Sequence, residues 1–203
     1  MQASVTSADS AAIHPLWLRI SHWINAFAVV IMTLSGWRIY NASPIFSFAF
    51  PRDWTLGGWL GGALQWHFAA MWLLAINGLI YLGMNLLTRR LWRKFFPLSP
   101  RAILHDLLHA LKGKLSHADA RQYNAVQKSA YLSVMLALIV LVLSGLAIWK
   151  SVQLPWLRDL MGGFDNARVV HFCAMSYLVF FFVVHVVMVA LVPRTLLSML
   201  RGR

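Results

Sequence analysis

The 203-residue chain is poor in cysteine, in acidic residues and in charge altogether: one Cys, six Asp plus Glu, and 12% charged residues. A lone thiol, Cys173, excludes a disulfide framework, an iron–sulfur cluster on Cys ligands and covalent Cys-x-x-Cys-His haem attachment. A soluble domain carries about a quarter charged residues, so a cytosolic globular enzyme is excluded by composition. The 18 basic residues leave a net charge of +12. A nucleic-acid binder would spread that excess over a polar surface, which a chain 60% hydrophobic, with mean hydropathy +0.64, does not have. Residues 1–13 lack both Lys or Arg and an apolar core, so no signal peptide is expected, and the first apolar segment is expected to act as an uncleaved targeting signal.

What remains is an integral membrane protein. Four stretches, about 16–40, 62–87, 130–149 and 169–192, are apolar enough to cross a hydrocarbon core of about 30 Å, which takes roughly 20 helical residues. None contains Lys, Asp or Glu. The predicted fold is therefore all-α, a single four-helix transmembrane bundle over 1–203. The 88–129 connection holds nine basic residues, and Arg19, Arg194, Arg201 and Arg203 bring its side of the membrane to thirteen. The opposite side has five: Arg38, Arg52, Lys150, Arg158 and Arg168. The positive-inside rule puts both termini and the long loop in the cytoplasm.

Within that loop, Ser99-Pro100 is a helix start. Ile103, Leu104, Leu107, Leu108, Leu111 and Leu115 follow at helical spacing, with Arg101, His105, His109 and Lys112 on the other side. A short amphipathic helix on the lipid surface is expected. An internal repeat is also visible. Leu34-Ser35-Gly36 and Leu143-Ser144-Gly145 close the first and third spans. His67-Phe68-Ala69-Ala70-Met71 and His171-Phe172-Cys173-Ala174-Met175 open the second and fourth. Two antiparallel hairpins of like design would produce this pattern.

Four of eight His lie within spans: His22, His67, His171 and His185. An imidazole in a bilayer needs a partner, which makes each a functional candidate. Because the helices alternate direction, His22 and His185 share the cytoplasmic depth, and His67 and His171 share the opposite one. In the fourth span 14 residues separate the two His, about 21 Å of rise. Two neutral imidazoles from different helices at one depth are what a six-coordinate haem iron requires. A metal transporter or proton relay would need acids or thiolates beside the His, and the spans offer no acid. Two stacked pairs sharing the fourth span predict two haems. Arg38 and Arg168 on the outer side and Arg19 on the inner side are at a depth suited either to haem propionates or to interfacial anchoring. His14, His105, His109 and His117 lie outside the spans, and His105 and His109 read as a solvated polar face.

Arg19-Ile20-Ser21-His22-Trp23-Ile24-Asn25-Ala26, Tyr123-Asn124-Ala125-Val126-Gln127-Lys128 and the His171/His185 pair resemble the bacterial cytochrome b561, Ni/Fe-hydrogenase cytochrome b and formate dehydrogenase gamma group. Gly36-Trp37-Arg38-Ile39-Tyr40 and the short length are most similar to thiosulfate-reductase-type cytochrome b subunits. The resemblance implies two non-covalent haem b groups on the same His pairs. It also implies electron transfer between quinone and a periplasmic redox protein, a molybdopterin oxidoreductase, on the outer loops. It further implies a quinone site near the cytoplasmic haem that uses Asn124 and Gln127, where Val126 replaces the family's Gly; the alternative is that both residues merely cap the third span. Two rival functions stand beside this one: a stand-alone superoxide oxidase that reduces quinone, and a haem-free anchor or transporter.

Overall fold

A computed structural model describes residues 14–111 and 124–202. Four of its helices are long and apolar enough to cross a membrane: α1 (Leu16–Ala42), α2 (Leu60–Leu87), α5 (Ala125–Trp149) and α7 (Phe164–Leu191). Between and after them lie the short helices α3 (Arg90–Phe95), α4 (Pro100–Leu111), α6 (Pro155–Leu160) and α8 (Pro193–Arg201). No strand occurs among the described residues. Large apolar side chains such as Phe27, Ile76, Leu79, Phe180 and Leu191 are exposed along the long helices. A water-soluble protein does not leave such belts bare, whereas lipid covers them.

The long helices extend past the apolar runs. The third span starts at Ala125 rather than 130, because Asn124 and Gln127 form a reciprocal capping box that begins the helix among polar residues. The second starts at Leu60 and the fourth at Phe164. A turn at Gly57 precedes the former: at φ +107, a Cβ there would lie 2.4 Å from the Ala63 nitrogen, so only glycine fits.

Two hairpins make the bundle. The backbones of α1 and α2 run close together, as do those of α5 and α7, while the helices of one hairpin hold back from those of the other. Polar side chains join each hairpin internally. Asn77 in α2 donates to the Ser21 carbonyl (2.9 Å) and to Asn25 Oδ1 (2.7 Å) in α1. Ser133 in α5 and Tyr177 in α7 share a 2.6 Å bond. Such bonds hold helices together where lipid removes the hydrophobic drive for helix pairing. Aromatic rings bridge the hairpins at the face opposite the long loop: Tyr40 lies 5.0 Å from Phe172 and Phe68 lies 4.9 Å from Trp149. Within the first hairpin, Trp37 stacks on Phe50 at 4.6 Å.

At the other face, called here the basic face, α4 is the amphipathic helix expected from Ser99-Pro100 onward. Leu104, Leu107 and Leu108 are exposed on it. Leu115, Lys112, His117 and Tyr123 lie outside the described residues, as do residues 1–13 and Arg203. The sequence reading contained no counterpart of α8, a second amphipathic helix, which follows α7 directly at Pro193.

Candidate functional site

The four membrane histidines fall into two layers, as helix direction predicts. At the basic face, His22 of α1 faces His185 of α7 across the gap between hairpins, with ring centroids 6.0 Å apart. Phe181, one turn before His185, stacks against it with planes 10° apart, and Trp23 meets the His22 ring edge-on at 5.3 Å. At the far face, His67 of α2 and His171 of α7 lie within electrostatic range of each other.

The far-face pair is held by hydrogen bonds in a repeated pattern. Ser35 Oγ donates to the Ile31 carbonyl at 2.6 Å and lies 3.1 Å from His67 Nδ1. Ser144 Oγ donates to the Val140 carbonyl at 2.6 Å and lies 2.9 Å from His171 Nδ1. The Met32 carbonyl stands 3.2 Å from His67 Nδ1, and the Leu141 carbonyl beside His171 is its repeat counterpart. Each His is thus braced by the partner helix of its own hairpin. The neighbouring glycines touch the same rings. A Cβ on Gly36 would lie 3.6 Å from His67 Cε1, and one on Gly145 would lie 3.3 Å from His171 Cε1. The Leu-Ser-Gly and His-Phe repeats are therefore the two halves of one ring-holding device. The repeat was the available signal for Ser35 and Ser144, and only the fold shows what they touch.

This donor set fits a bis-imidazole haem. Two imidazoles sharing one metal, with bonds of about 2 Å, have ring centres roughly 6 Å apart, as His22 and His185 do. Acceptors around Nδ1 of His67 and His171 leave Nε2 as the basic nitrogen a metal needs. No cluster of three or more His, Cys, Asp or Glu suited to a bare metal ion exists among the described residues.

The other candidate residues have separate places. Arg19 reaches the C-terminal end of α8, bonding the carbonyls of Met199 (3.3 Å) and Leu200. Arg168 bonds the Ser43 carbonyl and hydroxyl and pairs with Asp165 at 3.6 Å. Arg38 is half-buried and makes no hydrogen bond or ion pair among the described residues. Asn124 Oδ1 accepts from the Gln127 N–H (2.8 Å), and Gln127 Oε1 accepts from the Asn124 N–H (3.1 Å), so both side chains are engaged in the cap. Asp106 of α4 adds a third contact there, accepting from the Ala125 N–H at 2.8 Å. That bond, with a smaller contribution from His105, holds the Asp106 carboxyl below its ordinary value. The His105 and His109 rings lie 4.2 Å apart, tilted by 32°, on the exposed side of α4.

Residues 13–202 match the family of prokaryotic cytochrome b561. A protein of Azospira oryzae, named as the YedZ1 subunit of a protein-methionine-sulfoxide reductase, is 66% identical over 196 residues, covering 97% of this chain and 99% of its own. A protein of Cupriavidus necator, named as a Ni/Fe-hydrogenase B-type cytochrome subunit, is 25% identical over 202 residues, covering 91% and 80%. No solved structure gives a significant match.

Proposed function

Since the chain belongs to the prokaryotic cytochrome b561 family, we propose that it binds two non-covalent b-type haems and conducts electrons across the bacterial inner membrane. His22 and His185 hold one and His67 and His171 the other. The observation that carries this reading is the pair of imidazole layers, one spaced 6.0 Å apart and the other braced at Nδ1. Haem supplies the one-electron chemistry when bound. The chain would contribute the four ligating imidazoles, a lipid-shielded gap between the hairpins, and a fixed separation of the two layers along α7. Arg38, half-buried and without a hydrogen-bond or ion-pair partner among the described residues, is the residue suited to a propionate on the far face.

The basic face is cytoplasmic, with both termini, and exchanges electrons with membrane quinone. With Asn124 and Gln127 engaged in the α5 cap, a quinone headgroup there meets the capped helix start rather than free amides. The far face docks a periplasmic redox protein. The relatives' names, a sulfoxide reductase subunit and a hydrogenase cytochrome subunit, support a partner oxidoreductase. A molybdopterin-dependent reductase of methionine sulfoxide in proteins is the partner assigned here. Such a partner consumes electrons, so flow runs from quinol at the basic face to the far face.

Purified protein mixed anaerobically with a soluble quinol should show the absorbance of reduced b-type haem, and the co-expressed partner should copurify with molybdenum. A haem spectrum that quinol leaves oxidised would overturn the quinone assignment. Direct reduction by superoxide with onward transfer to quinone would favour the stand-alone oxidase.

A further inference from the structure

We propose that Ser35 and Ser144 are positioning residues for the far-face histidines: beside the Met32 and Leu141 carbonyls that also accept from Nδ1, each hydroxyl adds an acceptor that fixes the ring plane and strengthens the Nδ1–H tautomer, thereby lowering the reduction potential of the haem held there. This rests on the reading of His67 and His171 as axial ligands. A serine hydroxyl has one proton. In both serines that proton is committed to the carbonyl one turn back, Ile31 for Ser35 and Val140 for Ser144, each at 2.6 Å. The oxygen facing the ring can then only accept, so Nδ1 of His67 (3.1 Å) and of His171 (2.9 Å) must carry the proton. Nε2 is left as the lone-pair nitrogen in both rings.

Back-bonding of serine to its own helix is ordinary in apolar segments. It satisfies the hydroxyl without help and explains neither the second contact nor its recurrence. Both serines are fully buried, at 0% exposure, so water does not compete for the imidazole proton. The arrangement occurs once in each hairpin, at repeat-equivalent positions, with a glycine next in sequence against each ring. An acceptor at Nδ1 makes Nε2 a stronger electron donor, which favours the oxidised metal. His22 and His185 make no such bond among the described residues, so the effect belongs to one layer.

The test is a redox titration, followed by absorbance, of wild type and of Ser35→Ala, Ser144→Ala, the double variant and Ser→Thr at each position. Low-temperature EPR of the ferric low-spin signals and haem per chain are measured alongside. The Ala variants should keep two haems and raise one of two potentials by three- to tenfold in the reduction equilibrium, about 30 to 59 mV for a one-electron couple. The other potential should stay fixed, and Thr should restore the first. Should an Ala variant fail to load haem, Ser144→Cys, which keeps the shape but is a weak acceptor, must show the same upward shift. Two bound haems with unchanged potentials and EPR in the Ala or Cys variants would overturn the serine role and leave the ligand assignment standing. Retention of two haems by both His67→Ala and His171→Ala would overturn the ligand assignment itself.

Discussion

At the far face, two imidazoles occupy equivalent positions of two similar hairpins within electrostatic range of each other, each braced by the serine of its own hairpin. At the basic face, His22 and His185 occupy non-equivalent positions. The 109-residue offset that relates Ser35 to Ser144 carries His22 to Tyr131, and the 104-residue offset that relates His67 to His171 carries His185 back to Tyr81. Their rings are positioned by aromatic neighbours, Trp23 and Phe181, rather than by hydrogen bonds among the described residues. A repeated hairpin can build one two-ligand site simply by facing its own copy. The second site needs one histidine per hairpin, placed off that relation, and its surroundings are free to differ. That freedom suits the proposed division of labour, with quinone at one face and a partner protein at the other.

The largest break in the comparison comes from removing a ligand. His171→Ala should leave one haem per chain, with the spectrum of the basic-face site, and His22→Ala should leave the complementary one; identical residual spectra would contradict two independent layers. Gly145→Ala and Gly36→Ala sharpen the view of the braced layer. A methyl on Gly145 lies 3.3 Å from the His171 ring and forces it to move, whereas on Gly36 the 3.6 Å contact is ordinary packing. The first should perturb the far-face EPR signal and lower haem retention, and the second should do neither. Asn77→Leu removes the bonds to Ser21 and Asn25 beside His22. It should destabilise the first hairpin by about 1 kcal/mol, within the range for interhelical bonds in membranes, as read by unfolding in mixed micelles.

The smallest effect concerns the docking of α4. Asp106 accepts from the Ala125 N–H, and its carboxyl sits below the ordinary value of 3.8. A depressed carboxylate contributes stability above its unfolded value and loses it as pH falls through the folded one. Hydrogen exchange at Ala125 should therefore be unchanged between pH 7 and 5 once corrected for intrinsic rate, and should show faster opening below about pH 4. Asp106→Asn should show the faster opening throughout.

The histidine layers were legible because helix direction alone sorts residues by depth, and a charge-free span makes every imidazole conspicuous. The capping box at Asn124 was legible as local spacing, although the apolar run hid that the helix begins there. Side-chain partners across helices were not legible, because rotation about each axis decides them and hydropathy does not report it. Ser35 and Ser144 therefore entered only as part of a repeat. Arg19 read equally well as a haem or lipid contact; its bond to carbonyls 180 and 181 residues away depends on α8 folding back beside α1. The strong amphipathicity of α8 was present in Pro193–Arg201, but so short a stretch after a long span reads as a tail.

The most direct measurement is haem per chain in the purified wild-type protein, by pyridine haemochrome against quantitative amino-acid analysis. Two b-type haems per chain are expected; one would contradict the pairing of the layers, and none would contradict the electron-transfer function.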